Sequence, residues 1–168
     1  MKILNTVQIK AQKSTCIAKA NKVFKEFIES DFEKYKEKDA KVKSRKFTVI
    51  EMTEDATFRG LFKESDAISQ GEIVAFCKDF KGELRQDGYA TFFLFKHRDG
   101  LFVAYVAVVA GGHLYVDVYQ FSYGAVWNAG YRHRFVIPQQ ETENLSPDTL
   151  LFSHFFAELK DLIKKYEL

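Results

Sequence analysis

The sequence contains little cysteine and little proline. Its 168 residues include two cysteines, Cys16 and Cys77, and two prolines. Neither cysteine belongs to a CxxC motif or has a histidine nearby at the spacing of a metal site. Small secreted domains that depend on disulfides carry more cysteine than this. We therefore expect two free thiols and a cytoplasmic location.

The sequence also lacks a long hydrophobic run. Its first residues, MKILNTVQIKAQKSTC, have no apolar stretch of the length found in a signal peptide. The most apolar stretch, residues 101–119, is interrupted by Gly111-Gly112 and contains His113 and Asp117. Such a stretch falls short of a membrane-spanning helix. We expect no contact with a membrane.

Motifs of the common catalytic and cofactor-binding sites are missing as well. The sequence contains no GxSxG, no P-loop, no HExxH and no glycine-rich dinucleotide fingerprint. The formal net charge of +2 gives no strong overall field for recruiting nucleic acid. These absences favour a binding protein over an enzyme, with no cofactor and no metal.

Aromatic residues are abundant, with 17 Phe and 8 Tyr. A chain of 168 residues has the usual size of one domain, so we expect a single α+β domain over residues 1–168. Residues 2–10 alternate like a strand. Apolar residues at three- and four-residue spacing predict a helix from Ser14 to Glu37. Residues 46–52 and 56–62 are predicted to form a hairpin around Thr53-Glu54-Asp55.

Two further helices have clear start signals. Ser69 and Glu72 form a capping-box pattern ahead of a short helix that we expect to end at Gly82. A long C-terminal helix is predicted from the cap Ser146 to Tyr166. The resulting fold class is a curved antiparallel sheet of about six or seven strands. It is packed by a long N-terminal helix, a short middle helix and a long C-terminal helix.

The middle of the chain predicts a meander of strands. Asp99-Gly100 and Gly111-Gly112 suit two-residue hairpin loops, because glycine readily adopts positive φ. These loops would place Val106 opposite both Phe93 and Asp117. Asp117 would then share an aromatic sheet face with Phe93, Tyr115 and Tyr119, while the opposite, aliphatic face receives the helices. A further strand is expected in residues 131–138.

Asp117 is the most informative residue of this meander, because an unpaired buried carboxylate is costly. One interpretation is structural: Asp117 pairs with Arg132, Arg134 or tyrosine hydroxyls. The other is a carboxylate on the floor of an aromatic pocket. The candidate binding residues are those of the aromatic face and of the segment that follows it: Asp117, Tyr115, Tyr119, Trp127, His133 and Arg134.

Three function classes remain open. The first is a non-catalytic binding or regulatory protein that uses an aromatic pocket or an apolar sheet face. Its partner would be a small molecule, a protein, or another copy of the chain that forms a homo-oligomer through the sheet face. The second is a small enzyme built around Asp117 and His133. The third, not favoured, is a nucleic-acid-associated protein using Arg132, Arg134 and the basic segment 34–46, which we expect to be a solvated loop because it is rich in lysine and poor in stacking residues.

Overall fold

The structure is a computed structural model that describes residues 1–11, 23–24, 27–28 and 42–139. The secondary-structure elements, in chain order, are β1 (Lys2–Ile9), β2 (Phe27–Ile28), β3 (Arg45–Glu51), α1 (Phe58–Leu61), α2 (Gln70–Asp79), β4 (Ala90–His97), β5 (Gly100–Val108), β6 (Leu114–Gln120) and β7 (Arg134–Pro138). The strands predicted at residues 2–10, 46–52 and 131–138 are confirmed as β1, β3 and β7.

The seven strands within the described residues form one sheet in the order β1-β3-β7-β4-β5-β6-β2. Neighbouring strands are antiparallel except for the pairs β4/β7 and β2/β6, which are parallel. The segment 121–133 leaves β6 and returns the chain across β5 and β4, so that β7 lies between β3 and β4. The sheet is therefore mixed.

The predicted fold class is wrong: the sheet is mixed and not antiparallel, and of the three predicted packing helices only the short middle one, α2, lies within the described residues. Within the described residues, α2 is the only helix with more than one turn. Most of the predicted N-terminal helix lies outside the described residues, but Phe27–Ile28, inside it, form strand β2. The predicted C-terminal helix lies wholly outside them. The error arose because apolar residues at helical spacing indicate a helix but do not show which residues will pair as strands in the fold.

Helix α2 begins as the sequence predicts. The Ser69 hydroxyl accepts a hydrogen bond from the Glu72 amide (3.2 Å), and the Glu72 carboxylate accepts one from the Ser69 amide (2.8 Å). This reciprocal capping box is confirmed. Phe76 packs its ring against Phe93 of the sheet at 5.3 Å. Cys77, also buried, is a free thiol as expected, while Cys16 lies outside the described residues.

The predicted hairpin over residues 46–62 is wrong in its second strand. Residues Phe58–Leu61 form α1, whose cap Thr57 accepts a hydrogen bond from the Gly60 amide at 3.3 Å. Phe58, Leu61 and Phe62 are all buried. Their spacing of three and four residues places them on one side of a helical turn, which explains why tertiary packing selects the helix.

The loop between β4 and β5 has two residues, but it begins one residue earlier than predicted. His97 lies opposite Gly100, so the loop residues are Arg98 and Asp99, and Phe93 lies opposite Ala104 instead of Val106. The predicted register is wrong by two residues. Because side chains alternate with a period of two, this shift leaves every side chain on its expected face.

The loop between β5 and β6 has three residues, Ala110–Gly112, instead of two. The Val109 amide donates to the His113 carbonyl at 2.9 Å, and Gly111 and Gly112 both have positive φ, 75° and 73°. Asp117 consequently lies opposite Tyr105 and not Val106. The predicted register is wrong by one residue, which exchanges the two faces of β6.

The exchange decides what each side of the sheet contains. On the helix face, defined by Phe93 and the α2 residues packed on it, β6 contributes Leu114 and Val116. On the opposite face, here called the aromatic face, β6 contributes Tyr119 beside Phe92 and Tyr105. Asp117 shares this aromatic face, because it alternates with Val116 and pairs with Tyr105.

Candidate functional site

Asp117 is surrounded by tyrosines. It lies between Tyr115 and Tyr119 along β6 and opposite Tyr105 on β5. The residue is half-buried, and its Oδ1 accepts a hydrogen bond from the Val118 amide at 2.7 Å. Among the described cations, none forms an ion pair with Asp117. The predicted pairing with Arg132 or Arg134 is therefore not the one that forms.

The carboxylate of Asp117 changes the chemistry of two tyrosines. Burial, followed by the negative charge of Asp117 and a side-chain hydrogen bond to it, raises the pKa of Tyr119 to about 12. Burial and the same charge also raise the pKa of Tyr105. Both phenols stay protonated at neutral pH, and the Tyr119 hydroxyl donates to the carboxylate. This part of the aromatic face therefore has a local negative charge.

Trp127 packs over the centre of the aromatic face. Its backbone is held by two hydrogen bonds with Ala56, Trp127 N to Ala56 O at 2.8 Å and Ala56 N to Trp127 O at 3.2 Å. The indole ring packs on five neighbouring rings, those of Phe92 at 4.9 Å, Phe58 at 5.3 Å, His133 at 5.5 Å, Tyr119 at 5.7 Å and Tyr105 at 6.0 Å. Because it is the only tryptophan of the sequence, its fluorescence reports on this surface alone.

His133 is buried at the edge of the same cluster. Its Nδ1 accepts a hydrogen bond from the Ala90 amide at 3.1 Å. That bond requires a lone pair on Nδ1, so the neutral ring carries its proton on Nε2. Burial, together with the positive charge of Arg85, lowers the pKa of His133. The residue therefore acts as a neutral packing group beside Trp127.

We expect the free energy of unfolding to decrease as the pH falls below about 6.5, the ordinary histidine pKa. The lowered pKa keeps His133 neutral in the folded state while the unfolded chain takes up a proton, so this stabilisation is present above the unfolded pKa and is lost below it. Urea unfolding of His133→Asn, which keeps an acceptor for Ala90 without titrating, should show a weaker pH dependence between about pH 5 and 7. Equal pH dependence in both proteins would contradict the expectation.

Arg134, a predicted site residue, lies apart from Asp117. Its Nη1 donates to the backbone carbonyls of Glu83 (2.8 Å) and Leu84 (3.1 Å). Arg132 instead donates from Nε (3.2 Å) and Nη2 (2.9 Å) to Oε1 of buried Glu51. Both arginines thus form hydrogen bonds at the end of the sheet where β7 begins, and neither contacts Asp117.

Four of the six predicted site residues lie together. Asp117, Tyr115 and Tyr119 alternate along one face of β6, and Trp127 packs on Tyr119. His133 touches this group through Trp127, whereas strands β4 and β5 separate it from β6. Tyr105 was missed because the predicted register placed it on the opposite face. The alternation of Tyr115, Asp117 and Tyr119 with the aliphatic residues of β6 was a signal that this side is partly solvated.

The basic segment 34–46 was predicted to be a solvated loop. Its residues before Val42 lie outside the described residues. Val42 is buried. Arg45 starts β3 and lies 3.6 Å from the carboxylate of Glu72. Two residues of the segment are thus committed to packing and pairing. The use of this segment to bind nucleic acid stays a prediction.

Three open depressions among the described residues lie away from Asp117. One, of about 550 Å³, lies at the start of α2 beside Glu72, Lys96 and His97. Another, of about 340 Å³, lies between α2 and the Gly111-Gly112 loop. The third, of about 610 Å³, lies between Gly88 and the Ala110–Gly112 loop. In the part of the chain that the structure describes, no group of three His, Cys, Asp or Glu side chains is placed to hold a metal ion. None of the described helices has the length and apolarity needed to cross a membrane.

No protein-family model, curated protein or solved structure matches this chain. The function of the protein is therefore inferred from its residues and their geometry.

Proposed function

We propose that this protein is a non-catalytic binding protein whose aromatic face docks another protein, with a basic side chain of the partner placed at Asp117. The observation that carries the proposal is the half-buried carboxylate of Asp117, which lies among tyrosines and has no described cation as partner. A guanidinium is suited to this site, because it pairs with a carboxylate and stacks on aromatic rings.

The surroundings of Asp117 favour a protein over a small molecule. Small-molecule sites are usually enclosed pockets, and the three open depressions described above lie elsewhere. Tyrosine and tryptophan are enriched in protein interfaces, where they provide much of the binding energy. Tyr123, which packs on Tyr119 at 5.4 Å, and Val126 are 47% and 63% exposed, so apolar surface continues beside Trp127.

Titration with a tri-arginine peptide, followed by Trp127 fluorescence, tests the proposal. We expect a saturable change in emission and weaker binding by Asp117→Asn, by about fivefold, since an exposed ion pair contributes up to about 1 kcal/mol. The substitution should leave the free energy of unfolding within about 1 kcal/mol of the parent value, because the asparagine carboxamide oxygen can still accept from the Val118 amide.

The matched control is Glu64→Gln, which also removes one negative charge. Glu64 is exposed and belongs to the 3-10 turn Glu64–Asp66, apart from the strand β6 that carries Asp117. We expect its tri-arginine affinity to match the parent. Equal affinities of the parent and Asp117→Asn would overturn the proposal. A Trp127 emission that varies with protein concentration without peptide would overturn it in favour of self-association.

A further inference from the structure

We propose that the partner docks as an added strand on the outer edge of β6, with its basic side chain directly opposite Asp117. This inference rests on the function proposed above and adds the way in which the partner binds. The feature that carries it is the length of the edge. Strand β6 extends to Gln120, whereas its outer neighbour β2 pairs only with Tyr115 and Val116.

The backbone groups of β6 point alternately toward β5 and toward the outer edge. The Phe121 amide donates to the Leu101 carbonyl of β5 at 3.0 Å, so Phe121 and every second residue before it point their amides at β5. Val118 and Gln120 therefore point their amides away from β5. In the part of the chain that the structure describes, no strand pairs with β6 on that side beyond Val116. The outer edge thus offers backbone hydrogen-bonding groups to an incoming strand.

Asp117 covers part of this edge with its own side chain. Its Oδ1 accepts from the outward Val118 amide at 2.7 Å, and the same amide would donate to a carbonyl of an added strand. A strand that displaces the carboxylate without offering it a donor leaves a half-buried charge with one hydrogen bond fewer. A guanidinium opposite Asp117 replaces the lost bond with a charge-assisted one. The edge therefore selects a strand that carries a basic side chain at this position.

The alternation of side chains defines the neighbours of that basic residue. In an added strand, the residues opposite Asp117 and Tyr119 have their side chains on the aromatic face, and the residue between them lies beside Val118 on the helix face. Val118 and Tyr119 are both partly buried, so apolar, β-branched partner side chains suit these two positions. The preferred partner segment therefore has a basic residue followed or preceded by two apolar residues.

Two acetylated and amidated peptides test the inference, one for each chain direction. Thr-Ile-Val-Arg fits an antiparallel strand and Arg-Val-Ile-Thr a parallel one, and each is titrated against Trp127 fluorescence. The tighter peptide is then N-methylated at either valine or isoleucine. The amide that donates to Val118 is that of valine in the antiparallel strand and that of isoleucine in the parallel strand, and the other amide points away. We expect the first methyl group to weaken binding at least about fivefold and the second to leave it within about twofold.

Val118→Pro blocks the edge from the side of the protein. It removes the outward amide and leaves the pairing with β5, because the Val118 amide does not point at β5. Gln120→Pro removes the next outward amide and replaces this variant if Val118→Pro fails to fold. We expect either variant to bind the unmodified peptide at least about fivefold more weakly.

The charge requirement is tested on the same peptide. Replacing its arginine by glutamine should weaken binding by about fivefold, and Asp117→Asn should remove most of that difference. If both N-methylated peptides bind as tightly as the unmodified one, while tri-arginine binding still depends on Asp117, this inference alone is overturned. Tri-arginine binding that does not depend on Asp117 would instead overturn the proposed function and this inference with it.

Discussion

Replacing Val116 by aspartate is expected to lower the free energy of unfolding by more than about 4 kcal/mol. Val116 is fully buried on the helix face, so the new carboxylate would be buried among apolar side chains. Urea unfolding measures the loss, and Trp127 emission reports whether the aromatic face changes with it.

Gln120→Asp, in the same strand, is the matched control. Gln120 is exposed, so a carboxylate stays hydrated there and its introduction should change the free energy of unfolding by no more than about 0.5 kcal/mol. If Val116→Asp were as mild as Gln120→Asp, Val116 would not lie on the face of β6 that meets α2.

Replacing Phe92 by alanine is expected to lower the free energy of unfolding by about 3 to 5 kcal/mol, because the change removes apolar contact and leaves a cavity. The Phe92 side chain is fully buried. Its ring contacts four others, those of Trp127 at 4.9 Å, His133 at 5.1 Å, Phe58 at 5.2 Å and Tyr105 at 5.9 Å. We therefore also expect Trp127 emission to change in the folded variant.

Phe80→Ala is the comparison for this loss. Phe80 is half-buried at the end of α2 and packs on Phe76 at 5.6 Å, so water already reaches part of its ring. Its substitution should cost less than that of Phe92. A Phe80→Ala loss equal to or larger than the Phe92→Ala loss would show that the aromatic cluster below Trp127 adds little to stability.

Local chemistry determined much of the secondary structure. The alternation in β1, the short run of β-forming residues in β3 and the capping box of Ser69 and Glu72 are short-range signals, and the structure follows them. The grouping of Tyr115, Asp117 and Tyr119 on one face also follows from alternation alone, whichever face that is. The sequence alone therefore places these three side chains together on one face of β6.

Tertiary structure decided which face those residues occupy. Two consecutive glycines permit either a two-residue or a three-residue loop, so the sequence of the loop leaves the register of β6 open. The longer loop buries Leu114 and Val116 on the helix face and leaves Asp117 half-buried beside Tyr105. The shorter loop would bury a carboxylate without a partner, at a cost of several kcal/mol.

Tertiary structure also decided the helix α1 and the parallel pairing of β4 with β7. The sequence of residues 56–62 is compatible with both a strand and a helical turn. The helical turn forms because it buries Phe58, Leu61 and Phe62 together. The parallel pair joins segments far apart in the chain, and no local pattern encodes such a partner. Short-range signals specify the elements of this protein, whereas competition for burial specifies their partners and faces.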